Sequence, residues 1–145
     1  MKTETLEIKR MFDAAPEAVF DAWLEQDQFE SWIGPVGVRC QVARFEPKVG
    51  GHYHLTMHTA DGTVAVTGVF QAIDRPRGFT MTWGMEGRYD TVTTVTVTLK
   101  AVEGRTALTL RHDGLPEGQR EGHDQGWSSA LGKLEQFLST GKAAA

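Results

Sequence analysis

Two histidines stand where a ligand oxygen could be clamped or a proton moved. His112 shares parity with Thr106, Leu108 and Leu110 in an alternating stretch, so it points inward at the end of a strand. His123 lies four residues before Trp127 and eight before Leu131, near the apolar stripe of a helix. Imidazole changes charge close to neutral pH, which suits such a pair to acid–base work or to hydrogen bonding with a ligand. The plainer reading has each ring bonding a local backbone carbonyl to steady the connection between strand and helix. That reading is preferred, and no residue is assigned a catalytic role.

Three more histidines, His52, His54 and His58, share one parity of a single strand and could in principle bind zinc. The opposite parity carries Tyr53, Leu55 and Met57, which is the core side, so the histidines belong to the solvated face. No metal site is assigned. Cys40 alternates with Val38 and Val42 and reads as a buried, inert thiol. Glu86, Asp90, Asp113 and Glu117 fall in connections or at a helix start and read as solvated charges. The sequence has no G-x-S-x-G elbow, phosphate loop, G-x-G-x-x-G or H-E-x-x-H, so nothing in it calls for a cofactor.

The aromatic and methionine residues carry a different signal. Tyr53, Met57, Phe70, Phe79, Met81, Trp83 and Trp127 are mostly core, but some must line any space left beneath the last helix. Large, polarisable faces suit an adaptable apolar pocket. The candidate lining set is Tyr53, Met57, Phe70, Met81, Trp83, His112, His123, Trp127 and Leu131. A loop over 84–90, with Met85, Arg88 and Tyr89, is expected to form one rim, and Gly84 and Gly87 would let it move as a gate.

These side chains need a frame. Residues 5–13 alternate as a half-buried strand, with Leu6, Ile8, Arg10 and Phe12 on one parity. Pro16 and Glu17 suit the first turn of a helix that carries Val19, Phe20, Trp23 and Leu24. Asp27 is expected to cap a second short helix with Phe29, Trp32 and Ile33, ended by Gly34 and Pro35. Strands follow over 38–46, 52–59, 63–73, 79–83, 91–99 and 106–112, with Asp61-Gly62 marking a hairpin. A helix over 119–140 presents Trp127, Ala130, Leu131, Leu134, Phe137 and Leu138 as one stripe, and Gly141 suits its C-cap. The fold class is therefore α+β: a curved antiparallel sheet wrapped around a long C-terminal helix, in one domain over 1–141 with a frayed 142–145 tail. Where sheet and helix part, a pocket is expected. Strand 91–99 is a candidate exposed edge through which a homodimer could pair.

With 145 residues, 40% hydrophobic and 23% charged, the chain can bury a real core and does not read as disordered. Net charge is −4 and the positive residues are scattered, which argues against a nucleic-acid partner. The single cysteine leaves no internal disulfide, and the charged start MKTETLEIKR is unlike a signal peptide. No apolar run is long enough for a membrane span. A cytoplasmic location is the expectation.

Several segments together resemble one family. They are Ala15 to Trp23 as APEAVFDAW, Trp32-Ile33-Gly34-Pro35, Gly50-Gly51-His52-Tyr53, Gly68-Val69-Phe70, Met81-Thr82-Trp83, the run TALTL from Thr106, and His123 with Gly126-Trp127. In this order and spacing they are similar to single-domain proteins like the C-terminal domain of the activator of the heat-shock chaperone ATPase, within the START-like superfamily. The resemblance implies the helix-grip fold, also reached above from the elements. It implies binding of a small hydrophobic molecule, a lipid or an aromatic polyketide, as the leading function. A polyketide-cyclase- or hydrolase-type enzyme using the cavity histidines is the second reading. Regulation of a chaperone ATPase is the third and weaker one, because activators of that kind carry a separate N-terminal domain that these residues do not contain.

Overall fold

A computed structural model describes residues 3–86 and 91–140. The expected Gly141 cap, the 142–145 tail and the Gly87, Arg88, Tyr89 and Asp90 part of the rim loop lie outside the described residues. The element order is β1 (Thr3–Phe12), α1 (Pro16–Leu24), α2 (Gln26–Trp32), β2 (Arg39–Phe45), β3 (His52–Thr59), β4 (Gly62–Asp74), β5 (Gly78–Met85), β6 (Thr93–Val102), β7 (Arg105–Pro116) and α3 (Arg120–Thr140). The strands form a seven-stranded sheet in the order β1-β7-β6-β5-β4-β3-β2, antiparallel throughout. This is the α+β helix-grip arrangement, with α3 packed against the sheet's inner face.

Strand alternation sets which side chains turn inward. In β3, Tyr53, Leu55 and Met57 are buried and sit opposite Gly68, Val66 and Val64 of β4. In β5, Phe79, Met81 and Trp83 do the same. The last strand runs past its expected end at His112. Gly114, at φ +78°, lets β7 shift parity where β1 shifts register between Glu4 and Leu6, so both His112 and Leu115 are buried.

Two expectations are corrected here. The 91–99 segment is not a sheet edge: β6 pairs with β5 on one side and β7 on the other. The first strand returns along the outer flank of β7, so β1 and β2 are the edges. Asp27 does not cap α2. Glu25 closes α1 and opens α2 in one extended residue, which leaves Asp27 inside the first turn. The β2 edge is itself guarded by α2. The Glu30 carboxylate accepts the Val42 N–H at 2.6 Å, and the Gln26 amide donates to the Val42 carbonyl at 3.3 Å.

Trp23 sits among the rings of the core. Its centroid lies 4.6 Å from Trp32, 5.4 Å from Phe79 and 5.9 Å from Trp127, linking α1, α2, the sheet and α3. Trp32 anchors the α1–α2 pair by donating its indole N–H to the Ala22 carbonyl at 2.9 Å. At the far side of the sheet, Gly68 is needed for close approach. A Cβ there would lie 2.1 Å from the Thr82 carbonyl oxygen and 2.6 Å from Cε1 of Tyr53. Its absence lets the Tyr53 ring lie across β4 and donate its hydroxyl to that same carbonyl.

Candidate functional site

The helix and the sheet do part. A cavity of about 230 Å³ opens between the inner ends of β3, β4 and β5, the first half of α3, and the segment joining α2 to β2. Its walls are largely apolar. Met57, Trp83 and Met85 come from the sheet, and Gly122, Gly126 and Trp127 from the helix.

Behind Trp127 lies a directional chain of buried hydrogen bonds. The Trp127 indole N–H donates to Nδ1 of His112 at 3.1 Å. Indole nitrogen only donates, so Nδ1 must carry the lone pair and the neutral ring holds its proton on Nε2. That proton goes to Thr93 Oγ1 at 2.7 Å, and the Thr93 hydroxyl in turn donates to the Trp83 carbonyl at 2.6 Å. The tautomer of His112 is thereby fixed by its partners. Burial, and next the nearby His123, push the His112 pKa down to about 3. The chain joins β5, β6, β7 and α3, holding Trp127 by its indole and Trp83 by its backbone carbonyl.

His123 lines the cavity and is half-buried. Its Nδ1–H donates to the Gln119 carbonyl at 2.8 Å, as the plainer sequence reading expects, and its ring stands edge-on to His112 at 5.1 Å. His112 departs from that reading: its partners are two side chains, Trp127 of α3 and Thr93 of β6.

Of the nine lining candidates, four meet at the cavity: Met57, Trp83, His123 and Trp127. His112 stands behind the wall. Tyr53, Phe70, Met81 and Leu131 are buried in the packed interior, with the Tyr53 and Phe70 rings 5.6 Å apart. The α2–β2 segment (Ile33, Gly34, Pro35 and Val38) and the glycines of α3 escaped the sequence reading. Two glycines four residues apart inside a helix were the available signal.

That segment is held by a buried lysine. Lys133 of α3 donates to the carbonyls of Gly34 at 3.2 Å and Ile33 at 3.4 Å, the open end of α2, where a cation also complements the helix dipole. Burial lowers its pKa. The neighbouring Cys40 is buried, and desolvation pushes its thiol up to about 11 against the pull of Lys133. The strand histidines lie on the outer side of β3, where His58 pairs with Gln41 at 2.8 Å. Among the described residues no three His, Cys, Asp or Glu side chains are grouped to hold a metal ion. Trp23 and Trp83 each bury an indole N–H that has no acceptor among the described residues.

A sheet folded around a C-terminal helix, with an apolar cavity between them, defines a START-like domain. Residues 13–139 match the family described as activator of Hsp90 ATPase homolog 1-like protein, and the chain belongs to that family. No curated protein matches it. A crystal structure of a Chromobacterium violaceum protein is similar at 22% identity and TM-score 0.88, covering 92% of this chain and 96% of that one. A solution structure of an Arthrobacter aurescens protein shares 26% identity at TM-score 0.83, covering 93% and 86% of the two chains. The AHSA1 protein of Silicibacter pomeroyi shares 25% identity at TM-score 0.81, covering 94% and 98%. No helix among the described residues is long and apolar enough to cross a membrane.

Proposed function

We propose that this protein binds a small aromatic molecule, of one or two fused rings, in the cavity between the sheet and α3. The observation that carries the reading is a void of about 230 Å³ walled by the Trp83 and Trp127 rings and the Met57 and Met85 side chains. An apolar cavity of about 150 Å³ holds benzene, so this one suits a somewhat larger ring system and is too small for a sterol. Indole faces and thioethers favour aromatic contact over an acyl chain. Burial gains about 25 cal/mol per Å² of apolar surface, so binding does not require a charged anchor.

Acid–base catalysis is the less supported reading. Both ring nitrogens of His112 are engaged by Trp127 and Thr93, and its charged form is disfavoured. The family description favours a third reading, contact with a chaperone ATPase, which stimulated ATP hydrolysis by a cognate chaperone would support.

The test is a thermal-shift series with 2-naphthol, dodecanoate and cholesterol. The reading expects 2-naphthol to raise the melting temperature with concentration, reaching about 2.7 kcal/mol of stabilisation at a hundredfold excess over Kd. A shift with dodecanoate or cholesterol and none with 2-naphthol would overturn it.

A further inference from the structure

The two edges of the sheet are finished differently. At β2, the Glu30 and Gln26 side chains of α2 bond the Val42 N–H and carbonyl, main-chain groups that another strand would need. At β1 no such bond among the described residues reaches the main chain, and β7 is the strand's one partner in the sheet. The strand is ten residues long and pairs regularly with β7 from Leu6 to Phe12. An open edge of that kind is a template for a further strand.

The charges on β1 select the occupant. Glu4 accepts from the Gly118 N–H at 3.2 Å and Arg10 pairs with Glu135 at 3.6 Å, so both are engaged within the chain. Glu7 and Lys9 stand on the outer parity, both exposed, and meet only in a loose ion pair at 4.0 Å. When two copies of one strand pair antiparallel about a twofold axis, the axis runs between a residue and its own copy, and equal steps to either side face each other. Centred on Ile8, Glu7 of each copy faces Lys9 of the other, and the two Ile8 side chains meet on the inner face, where each already packs against the core. Centring on Glu7, Lys9 or Arg10 sets like charges face to face, and centring on Leu6 sets Glu7 against Thr5. Opposite charges directly across a sheet stabilise the pairing and like charges weaken it, so one register is preferred.

We infer that β1 is a self-association surface: it pairs antiparallel with β1 of a second copy, centred on Ile8, and joins two seven-stranded sheets into one. The surface is separate from the cavity and does not depend on what the cavity holds. Pairing along one short edge buries less than about 1,200 Å², which belongs to weak, reversible contacts, so the dimer grows with concentration.

The experiment is sedimentation velocity on the full chain from about 5 to about 500 µM, the range in which a weak dimer forms and dissociates. Wild type should move from monomer to dimer across it. Glu7→Lys alone and Lys9→Glu alone each set like charges face to face, and each should weaken dimerisation by about tenfold or more. Both side chains are exposed, so the variants should melt close to wild type. An equal mixture of the two single variants should form a heterodimer with near wild-type affinity, because every facing pair is opposite again. The double variant Glu7→Lys/Lys9→Glu should likewise dimerise as wild type does. A wild type that stays monomeric throughout would overturn the inference, and is the result expected if this edge instead takes an extended segment of a different protein. A dimer that persists unchanged in both single variants, or a mixture that stays monomeric, would overturn the Ile8-centred pairing.

Discussion

Trp127 donates its indole N–H to Nδ1 of His112 at 3.1 Å, and this one bond sets the tautomer of the imidazole and the orientation of the indole. It sends the imidazole proton toward Thr93 and fixes the orientation of a tryptophan that lines the cavity, while burial keeps the histidine neutral. His112 thus touches the cavity wall only through Trp127.

Acid should therefore unsettle the fold through His112. Its pKa is about 6.5 when unfolded and about 3 when folded, so below pH 6.5 the unfolded chain binds a proton that the folded chain refuses. The stability it contributes is complete above pH 6.5 and is lost as pH falls toward 3. The slope approaches about 1.4 kcal/mol per pH unit, for a total of order 5 kcal/mol. His112→Gln cannot titrate yet can still accept from Trp127 and donate to Thr93. Urea unfolding of both proteins at pH 7 and pH 4.5 should show wild type losing more stability than the variant. Equal losses would contradict the assignment.

Gly68→Ala should be strongly destabilising, by about 2 kcal/mol or more, because its methyl would lie 2.1 Å from the Thr82 carbonyl oxygen and against the Tyr53 ring. Denaturant melts check this. A variant as stable as wild type would mean that β4 and β5 can separate without cost.

Cys40 should be inert in the folded protein. It is buried with its pKa near 11, so iodoacetamide at pH 8 meets almost no accessible thiolate. Intact-mass analysis should find the native chain unmodified over hours and the urea-unfolded chain alkylated. Rapid alkylation without denaturant would contradict the burial.

Much of this frame is legible in the chain because strand alternation is a local signal. The bounds of β3 follow directly from Tyr53, Leu55 and Met57 against the polar parity, and Trp127, Leu131 and Leu134 mark the buried side of α3. The errors have one origin, in that neighbours far apart in sequence decide the outcome. Nothing in residues 91–99 says that β1 will return beside β7, so the strand's place inside the sheet is not readable locally. Nor does the sequence say that His112 will find Trp127 and Thr93 before any carbonyl. The cavity is harder still, being set by what is missing. Inward parity selects Tyr53 and Met81 as readily as Met57 and Trp83, and only the divergence of α3 from the sheet separates the two groups.

The methionines offer the most direct test of the central claim. Met57 and Met85 line the cavity, whereas Met81 is buried in the core away from it and Met11 lies on β1. Methyl-labelled methionine spectra recorded during titration with 2-naphthol report on all four at once. Met57 and Met85 should show saturable shifts, with Met11 and Met81 unmoved. Still resonances at Met57 and Met85, or shifts centred on Met81, would contradict an aromatic ligand in this cavity.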